Sequence, residues 1–415
     1  MVAVSFITRA VFAIGQARKM PPNLVGIVPF LNETGNIAFS LAKGLGFSSP
    51  WWQETGATAW LTPVYPWTVA LLYRIFGIHT PHAFYAAVFL NIVFSAAACV
   101  PIYFVGKRIA GLGVGSGAAW LWAVFPNAIL IPYEWIWDTS LSALLMASIL
   151  WATLVLAESA RLRDWVAYGL LWGFALMTNP SLGSVFPFLL GWAAFRASRF
   201  KPTAIARPLL AVGIAVLCCV PWTIRNYAAF HRFVPLRSNF PLELWLGNNE
   251  NFDPNSRVVP PSDPSREEIH KYIRMGETAF MAEKWQEATE FIVSHPRLEV
   301  TLWGRRFVAT WAGTEKPPEV FWNAESNVTR VTIASNVLVS LGALAGIVIL
   351  LGRRSPYAFP LAAIVVVYPA LYYMTHTSLR YRHPIDPVLL ILTSISLAAC
   401  ISQIRSTATP KRRVP

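Results

Sequence analysis

The sequence predicts an all-α polytopic membrane protein, a bundle of about ten transmembrane helices with a loop domain on one face, and three observations predict it. Of 415 residues, 55% are hydrophobic and only 13% charged, about half the charge fraction of a soluble domain, and mean hydropathy is +0.47. The apolar residues fall in runs that match the roughly 20 residues a helix needs to cross about 30 Å of hydrocarbon. The net charge of +13 is localised: segments 106–108, 158–164, 196–207, 352–356 and 403–415 hold fourteen basic residues against only Glu158 and Asp164. Basic residues gathered in short loops between apolar runs follow the positive-inside pattern, not a nucleic-acid footprint. The 18 Trp, 25 Phe and 31 Pro exclude a coiled coil, a disordered chain and a collagen-like repeat.

Spans are expected near 82–105, 109–131, 138–157, 208–222, 331–351, 357–375 and 385–402. The run 165–195 is too long for one crossing. Asn179-Pro180 divides it, because proline ends a helix and asparagine caps one. Two N-terminal candidates remain, 1–15 with Arg9 and 61–77 with Arg74. We read the first as a crossing and the second as a helix lying in the interface. A cleaved signal peptide is the alternative for 1–15, but no small-residue cleavage site of the usual form precedes Lys19. Cys99, Cys218, Cys219 and Cys400 sit in apolar stretches without zinc spacing and read as small buried hydrophobes.

With the basic segments assigned to the cytoplasm, three regions follow: 1–222, transmembrane with a first outer loop at about 16–80; 223–330, a non-cytoplasmic loop domain; and 331–415, the last helices and a basic tail. The cytoplasmic loops are too short to fold alone, so chemistry belongs on the outer face. From Asp263-Pro264 to His295-Pro296 the apolar positions Ile269, Ile273, Phe280, Trp285, Ala288 and Ile292 predict an amphipathic helix with a break near Gly276.

Sugar nucleotides and ATP are absent outside the cytoplasm, so a group-transfer enzyme there takes its group from a lipid carrier or an exported molecule. Several motifs bear on this. The first outer loop reads Leu31-Asn32-Glu33-Thr34-Gly35-Asn36-Ile37-Ala38, then Gly44-Leu45-Gly46-Phe47, then Pro63-Val64-Tyr65-Pro66. Later come Pro221-Trp222-Thr223-Ile224-Arg225-Asn226, Gly247-Asn248-Asn249 and Arg380-Tyr381-Arg382-His383-Pro384 with Pro387. In this order the motifs resemble the glycosyltransferases of family 39, the protein mannosyltransferase and aminoarabinose transferase relatives with the GT-C fold. The resemblance implies a GT-C-like bundle and an acidic pair in the first outer loop. Asn32 stands where the family commonly has aspartate, which leaves Glu33 as the sole carboxylate of the pair.

That resemblance implies an inverting transfer from a polyprenyl-phosphate-linked sugar to a lipid, glycan or protein acceptor. Such a step needs a base for the acceptor proton and positive charge on the departing phosphate. Glu33 is the expected catalytic base; its alternative role is to favour the helix dipole near Thr34. Arg380, Arg382 and His383 are the expected phosphate ligands, since arginine presents a planar fork to phosphate; their alternative is headgroup contact. Arg225 and Arg237 are second choices. Asn32, Glu54, Tyr65, Glu134, Asp138, Asn226 and Asn248 are candidates for acceptor or sugar binding, Glu134 and Asp138 because acids at membrane depth are expensive. Trp and Tyr at 51, 52, 60, 65, 133, 135 and 137 suit sugar stacking or a membrane belt. No cofactor is required; no residues have metal-ligand spacing, although Glu33 leaves room for a divalent ion. The expected location is the plasma (inner) membrane of a bacterium. The rival readings are a transporter or flippase for an anionic lipid-linked substrate, which internal repeats would favour, and a non-catalytic scaffold.

Overall fold

A computed structural model describes residues 1–21, 24–134, 136–198, 205–250, 266–314, 317–324 and 326–408. The described residues form helices and turns, with one isolated bridge between Ser48 and Ala57. The first half of the chain gives α1 (Val2–Ala17), α2 (Glu33–Ala42), α3 (Val64–Phe76), α4 (Pro81–Ala97), α5 (Cys99–Ala110), α6 (Leu112–Val124), α7 (Pro126–Glu134), α8 (Thr139–Leu156), α9 (Leu162–Thr178) and α10 (Phe186–Ser198). The second half gives α11 (Ala206–Phe230), α12 (Phe240–Gly247), α13 (Arg266–Met275), α14 (Glu277–Ser294), α15 (Pro296–Ala312), α16 (Pro317–Asn323), α17 (Asn327–Gly352), α18 (Ala358–Met374), α19 (Leu379–Arg382) and α20 (Asp386–Ala408).

Among the described residues, five stretches are long and apolar enough to span a membrane: Pro81–Ala110, Thr139–Leu156, Ala206–Phe230, Asn327–Gly352 and Leu379–Arg405. The pair α6 and α7, bent by 45°, makes a sixth. The other expected crossings are also helical, as α1, α9, α10 and α18, but shorter. Asn179 divides α9 from α10 as the sequence predicts: α9 stops at Thr178, and the Asn179 side chain accepts from Ser181 N at 3.1 Å to start a short 3-10 turn.

The bend between α6 and α7 explains the charge in the first crossing. Pro126 has no N–H for the carbonyl of Trp122, four residues earlier, and the helix breaks there. The buried Arg9 guanidinium fills the gap, donating to Trp122 O at 3.0 Å, Ala123 O at 3.2 Å, Ser5 O at 2.8 Å and Ser95 Oγ at 2.8 Å. Orphan carbonyls at depth are costly, so Arg9 acts as a helix cap rather than a surface charge.

Close helix contacts rest on small residues spaced by four. A Cβ at Gly169 would meet Ala211 O at 2.6 Å and one at Gly173 would meet Cys218 Cβ at 2.5 Å, which brings α9 against α11. Gly342 and Gly346 play the same part for α17 against α20, where a Cβ at Gly346 would lie 2.3 Å from Leu392 O. The main apolar core, with Trp122, Trp165 and Trp172 fully buried, runs through α5, α6, α8, α9, α18 and α20.

Outside this bundle, α3 buries Tyr65, Val69 and Tyr73 and exposes Trp67, Leu71 and Ile75, an outward apolar stripe of period four that suits an interfacial helix. α13 and α14 break at Gly276, φ +77°, where the sequence places the break. Ile269, Phe280 and Ala288 are buried there, whereas Ile273 and Trp285 are exposed; the expected Asp263-Pro264 cap lies outside the described residues. Arg306 on α15 ties this helical cap to the bundle by donating to Asn248 Oδ1 at 2.9 Å and to Tyr373 O and Met374 O at 3.1 Å. Cys99 and Cys219 are buried as expected, but Cys218 is half-buried and Cys400 is exposed on α20.

Candidate active site

The start of α2 explains the sequence around Glu33. Asn32 is extended (φ −148°) and caps the helix: its side chain accepts from Gly35 N at 2.9 Å and donates to Pro29 O at 3.0 Å. Gly35 is needed because a Cβ there would lie 2.0 Å from Phe30 O. With the cap supplied by Asn32, Glu33 becomes the first residue of α2 and lines a cavity of about 250 Å³.

Distant segments close around that cavity: Trp60 and Leu61 from the first connecting segment, Trp137 and Asp138 before α8 with Thr139 at its start, Asn179 to Ser181 after α9, Arg237 to Glu243 before and in α12, and Tyr372 and Thr375 on and after α18. Arg380 and Tyr381 of α19 complete it. Three carboxylates, Glu33, Asp138 and Glu243, thus share a wall with two guanidinium groups, Arg237 and Arg380.

The guanidinium of Arg380 lies over the Trp137 ring, 3.9 Å from its centroid, and 4.8 Å from the centroid of the Tyr381 ring, and donates to Tyr381 Oη at 2.8 Å. Glu33 and Glu243 are close enough for their charges to act on it. Tyr381 in turn stacks on Tyr372, centroids 4.6 Å apart and planes 9° apart. Arg237 donates through Nε to Asn239 Oδ1 and lies 3.9 Å from Glu243. Asp138 accepts from Ser142 Oγ at 2.7 Å. Glu243 accepts from Asn239 Nδ2 at 2.8 Å and pairs with His376 Nε2 at 2.7 Å. Burial alone would raise its carboxyl, but the bond to His376 and the charges of His376, Arg237 and Arg380 outweigh burial and hold it down to about 2.

The arginine cluster near the C-terminus is divided. Residues two apart on a helix face opposite ways, so Arg380 reaches the cavity while Arg382 turns inward. Arg382 is buried, pairs with Asp386 at 3.0 Å and donates to Trp311 O at 2.8 Å. His383 is buried on the same aspartate at 3.1 Å and stacks on Trp122. Neither lines the cavity, contrary to the sequence expectation.

Arg225 and Asn226 lie inside α11, which runs to Phe230 rather than stopping near 222. Arg225 donates to Thr58 O at 2.6 Å and packs between Phe47 and Trp222, and Asn226 donates to Val234 O at 3.0 Å. Asn248 donates to Met374 O at 2.9 Å, and Tyr65 donates to Asn91 Oδ1 at 2.8 Å. These four hold segments together away from the cavity. Glu54 and Glu134 are exposed and do not line it, and Trp135 lies outside the described residues. Sequence reasoning missed His376, Asn239 and the part played by Glu243. His376 and Glu243 are 133 residues apart, and no motif in the sequence links them. Among the described residues no three His, Cys, Asp or Glu side chains converge as metal ligands.

Residues 61–224 match the family model described as dolichyl-phosphate-mannose-protein mannosyltransferase, the grouping to which the motifs point. The fold matches an oligosaccharyltransferase from Archaeoglobus fulgidus in its apo form, with TM-score 0.53 and 12% identity, covering 100% of this chain and 53% of that one. Its form in complex with Zn and sulfate gives TM-score 0.53 and 11% identity, covering 97% and 50%. ArnT from Cupriavidus metallidurans in the apo state is similar at 14% identity over 97% of this chain and 81% of that one, with TM-score 0.37. No curated protein matches the chain. The chain spans about half the length of the archaeal oligosaccharyltransferase. What is shared with it is architecture: this chain is an all-α membrane protein with the GT-C fold.

Proposed function

We propose that the protein is an inverting membrane glycosyltransferase that moves a sugar from a polyprenyl phosphate to a hydroxyl acceptor on the non-cytoplasmic face. One observation carries this reading: Glu33 and Arg380, 347 positions apart in the sequence, line one cavity at the end of the bundle. The mannosyltransferase match over 61–224 supports the reaction class. The cavity, about 250 Å³, lies below the roughly 300–1,000 Å³ of sites for drug-sized ligands, which suits one sugar rather than an oligosaccharide.

In the proposed step the acceptor hydroxyl oxygen attacks the anomeric carbon while Glu33 takes the hydroxyl proton. The bond from that carbon to the phosphate oxygen breaks on the opposite side, and its electron pair leaves with the phosphate. Arg380, held over Trp137 and Tyr381, and Arg237 receive the growing negative charge; each presents a fork of N–H groups that donates to phosphate oxygens. Asp138 stands on the same wall as an acceptor for sugar hydroxyl groups. Arg382, His383 and Arg225 support the scaffold in this scheme. Glu33, Asp138 and Glu243 line the cavity without converging as a metal-ligand set among the described residues, and the step is carried by this chain's own side chains.

The charge pattern supports this sidedness. α8 begins at the cavity with Thr139 and ends, like α5, away from it, where Arg108 pairs with Glu158, and the basic residues of segments 106–108 and 158–164 mark that end as cytoplasmic. The test is to incubate the purified full chain with membrane extract and a panel of radiolabelled polyprenyl-phosphate sugars. Transfer of one label with inversion at the anomeric carbon is expected. Retention of every label on its lipid would overturn the reading.

A further inference from the structure

Glu277 takes no part in the step above, yet its buried carboxylate gathers three segments of the chain. It accepts from Thr58 Oγ1 and from Ala59 N at 2.8 Å in the first connecting segment, from Ser238 Oγ at 2.6 Å after α11, and from Tyr272 Oη at 2.6 Å on α13. The first two segments are also joined to each other, with Ser238 N donating to Ala59 O at 2.9 Å. Arg225 is the counter-charge: it acts on Glu277 electrostatically while donating to Thr58 O at 2.6 Å.

The bonded stretches are the ones that build two walls of the cavity. Trp60 and Leu61 follow Ala59, and Arg237 and Asn239 bracket Ser238. Residues 231–239 lie between α11 and α12, so no helix ladder fixes Arg237; Trp222 and Asn226 hold Leu236 O on one side of it, and the bonds of Ser238 to Glu277 and Ala59 hold the other. We propose that Glu277 is a positioning residue that fixes the junction of Ala59 and Ser238 and thereby sets the Arg237 guanidinium where the lipid phosphate binds. A glutamine there would remove the charge that faces Arg225 and turn an N–H₂ toward hydroxyl groups that must then accept instead of donate, which trades charge-assisted bonds for weaker neutral ones. This inference rests on the polyprenyl-phosphate reading and adds a residue outside the cavity to it.

The test measures binding of undecaprenyl phosphate to the purified full chain in detergent for the wild type, Glu277→Gln, Arg237→Ala and the double variant. Thr58→Val, which removes one donor and keeps the carboxylate, carries the test if Glu277→Gln does not fold. Arg237→Ala and Glu277→Gln are each expected to raise Kd about tenfold, the scale of a charged hydrogen bond. The double variant should bind no more weakly than Arg237→Ala, because placement is immaterial once the guanidinium is gone. Thr58→Val should weaken binding in the same direction by less. Wild-type Kd in Glu277→Gln with only a lower Tm, or losses that multiply in the double variant, would overturn the inference and leave the donor reading standing. Wild-type protein that does not bind undecaprenyl phosphate would overturn the donor reading and this assignment with it.

Discussion

Asn32 and Glu33 divide two tasks that one acid would have to combine. Asn32 caps α2 and satisfies Gly35 N, so Glu33 remains available to the cavity. Asn32→Ala should lower stability by about 1 kcal/mol through loss of the cap, while Asn32→Asp should keep it; thermal melting of the two variants decides. Arg380→Lys is not a conservative change, because an ammonium has no plane to lie over Trp137 and no fork for phosphate. Its expected effect is an undecaprenyl phosphate affinity about tenfold weaker, measured by titration, and unchanged affinity would remove Arg380 from the proposed phosphate site. At this scale the sequence is legible where a residue type has one evident role: Glu33 as base and Arg380 as phosphate ligand are readable from the motifs, and both line the cavity. It was not legible where neighbours in sequence point in opposite directions, as Arg380 and Arg382 do, or where partners lie far apart, as His376 and Glu243 do.

Helix positions and breaks were readable from apolar runs and proline, since Asn179-Pro180 and Gly276 interrupt helices where expected. The bend at Pro126 and its repair by Arg9 were not, because they depend on which helix packs beside which. Arg9→Leu should remove the charged donor from the carbonyls of Trp122 and Ala123, leaving only the bonds from Phe125 N and Thr8 Oγ1, and cost about 1–3 kcal/mol, visible as a lower Tm in detergent; an unchanged Tm would contradict the capping role. The glycine seams make a second element-scale claim. Gly346→Leu places a side chain where even a Cβ lies 2.3 Å from Leu392 O, so α17 must move off α20 at a cost of roughly 1–3 kcal/mol. Gly352→Leu, with open space around it, is the control expected to melt like the wild type.

Across the whole molecule, the cavity joins the helical cap to the bundle, and the pair of Glu243 with His376 is one of the bonds that do so. Glu243 has a folded-state carboxyl near 2 against an ordinary 4.5. A lowered carboxyl stabilises the fold above its unfolded value, and that stability is lost as pH falls from about 5 toward 2. Melting followed over that range should therefore decline more steeply in the wild type than in Glu243→Gln; parallel declines would contradict the pairing. The composition and loop charges were enough to predict a polytopic bundle, but not that its cavity is assembled from so many separate segments, since closure of that kind is set by tertiary packing.

The account turns on Glu33 acting on the acceptor proton and not on the lipid phosphate. Glu33→Gln in the purified chain separates the two when sugar transfer and undecaprenyl phosphate binding are measured on the same preparation. Transfer should fall by about 10²–10⁴-fold, the scale of a general base, with Kd for the lipid phosphate within a factor of about two of the wild type. Transfer at the wild-type rate, or a loss of transfer matched by an equal loss of binding, would contradict it.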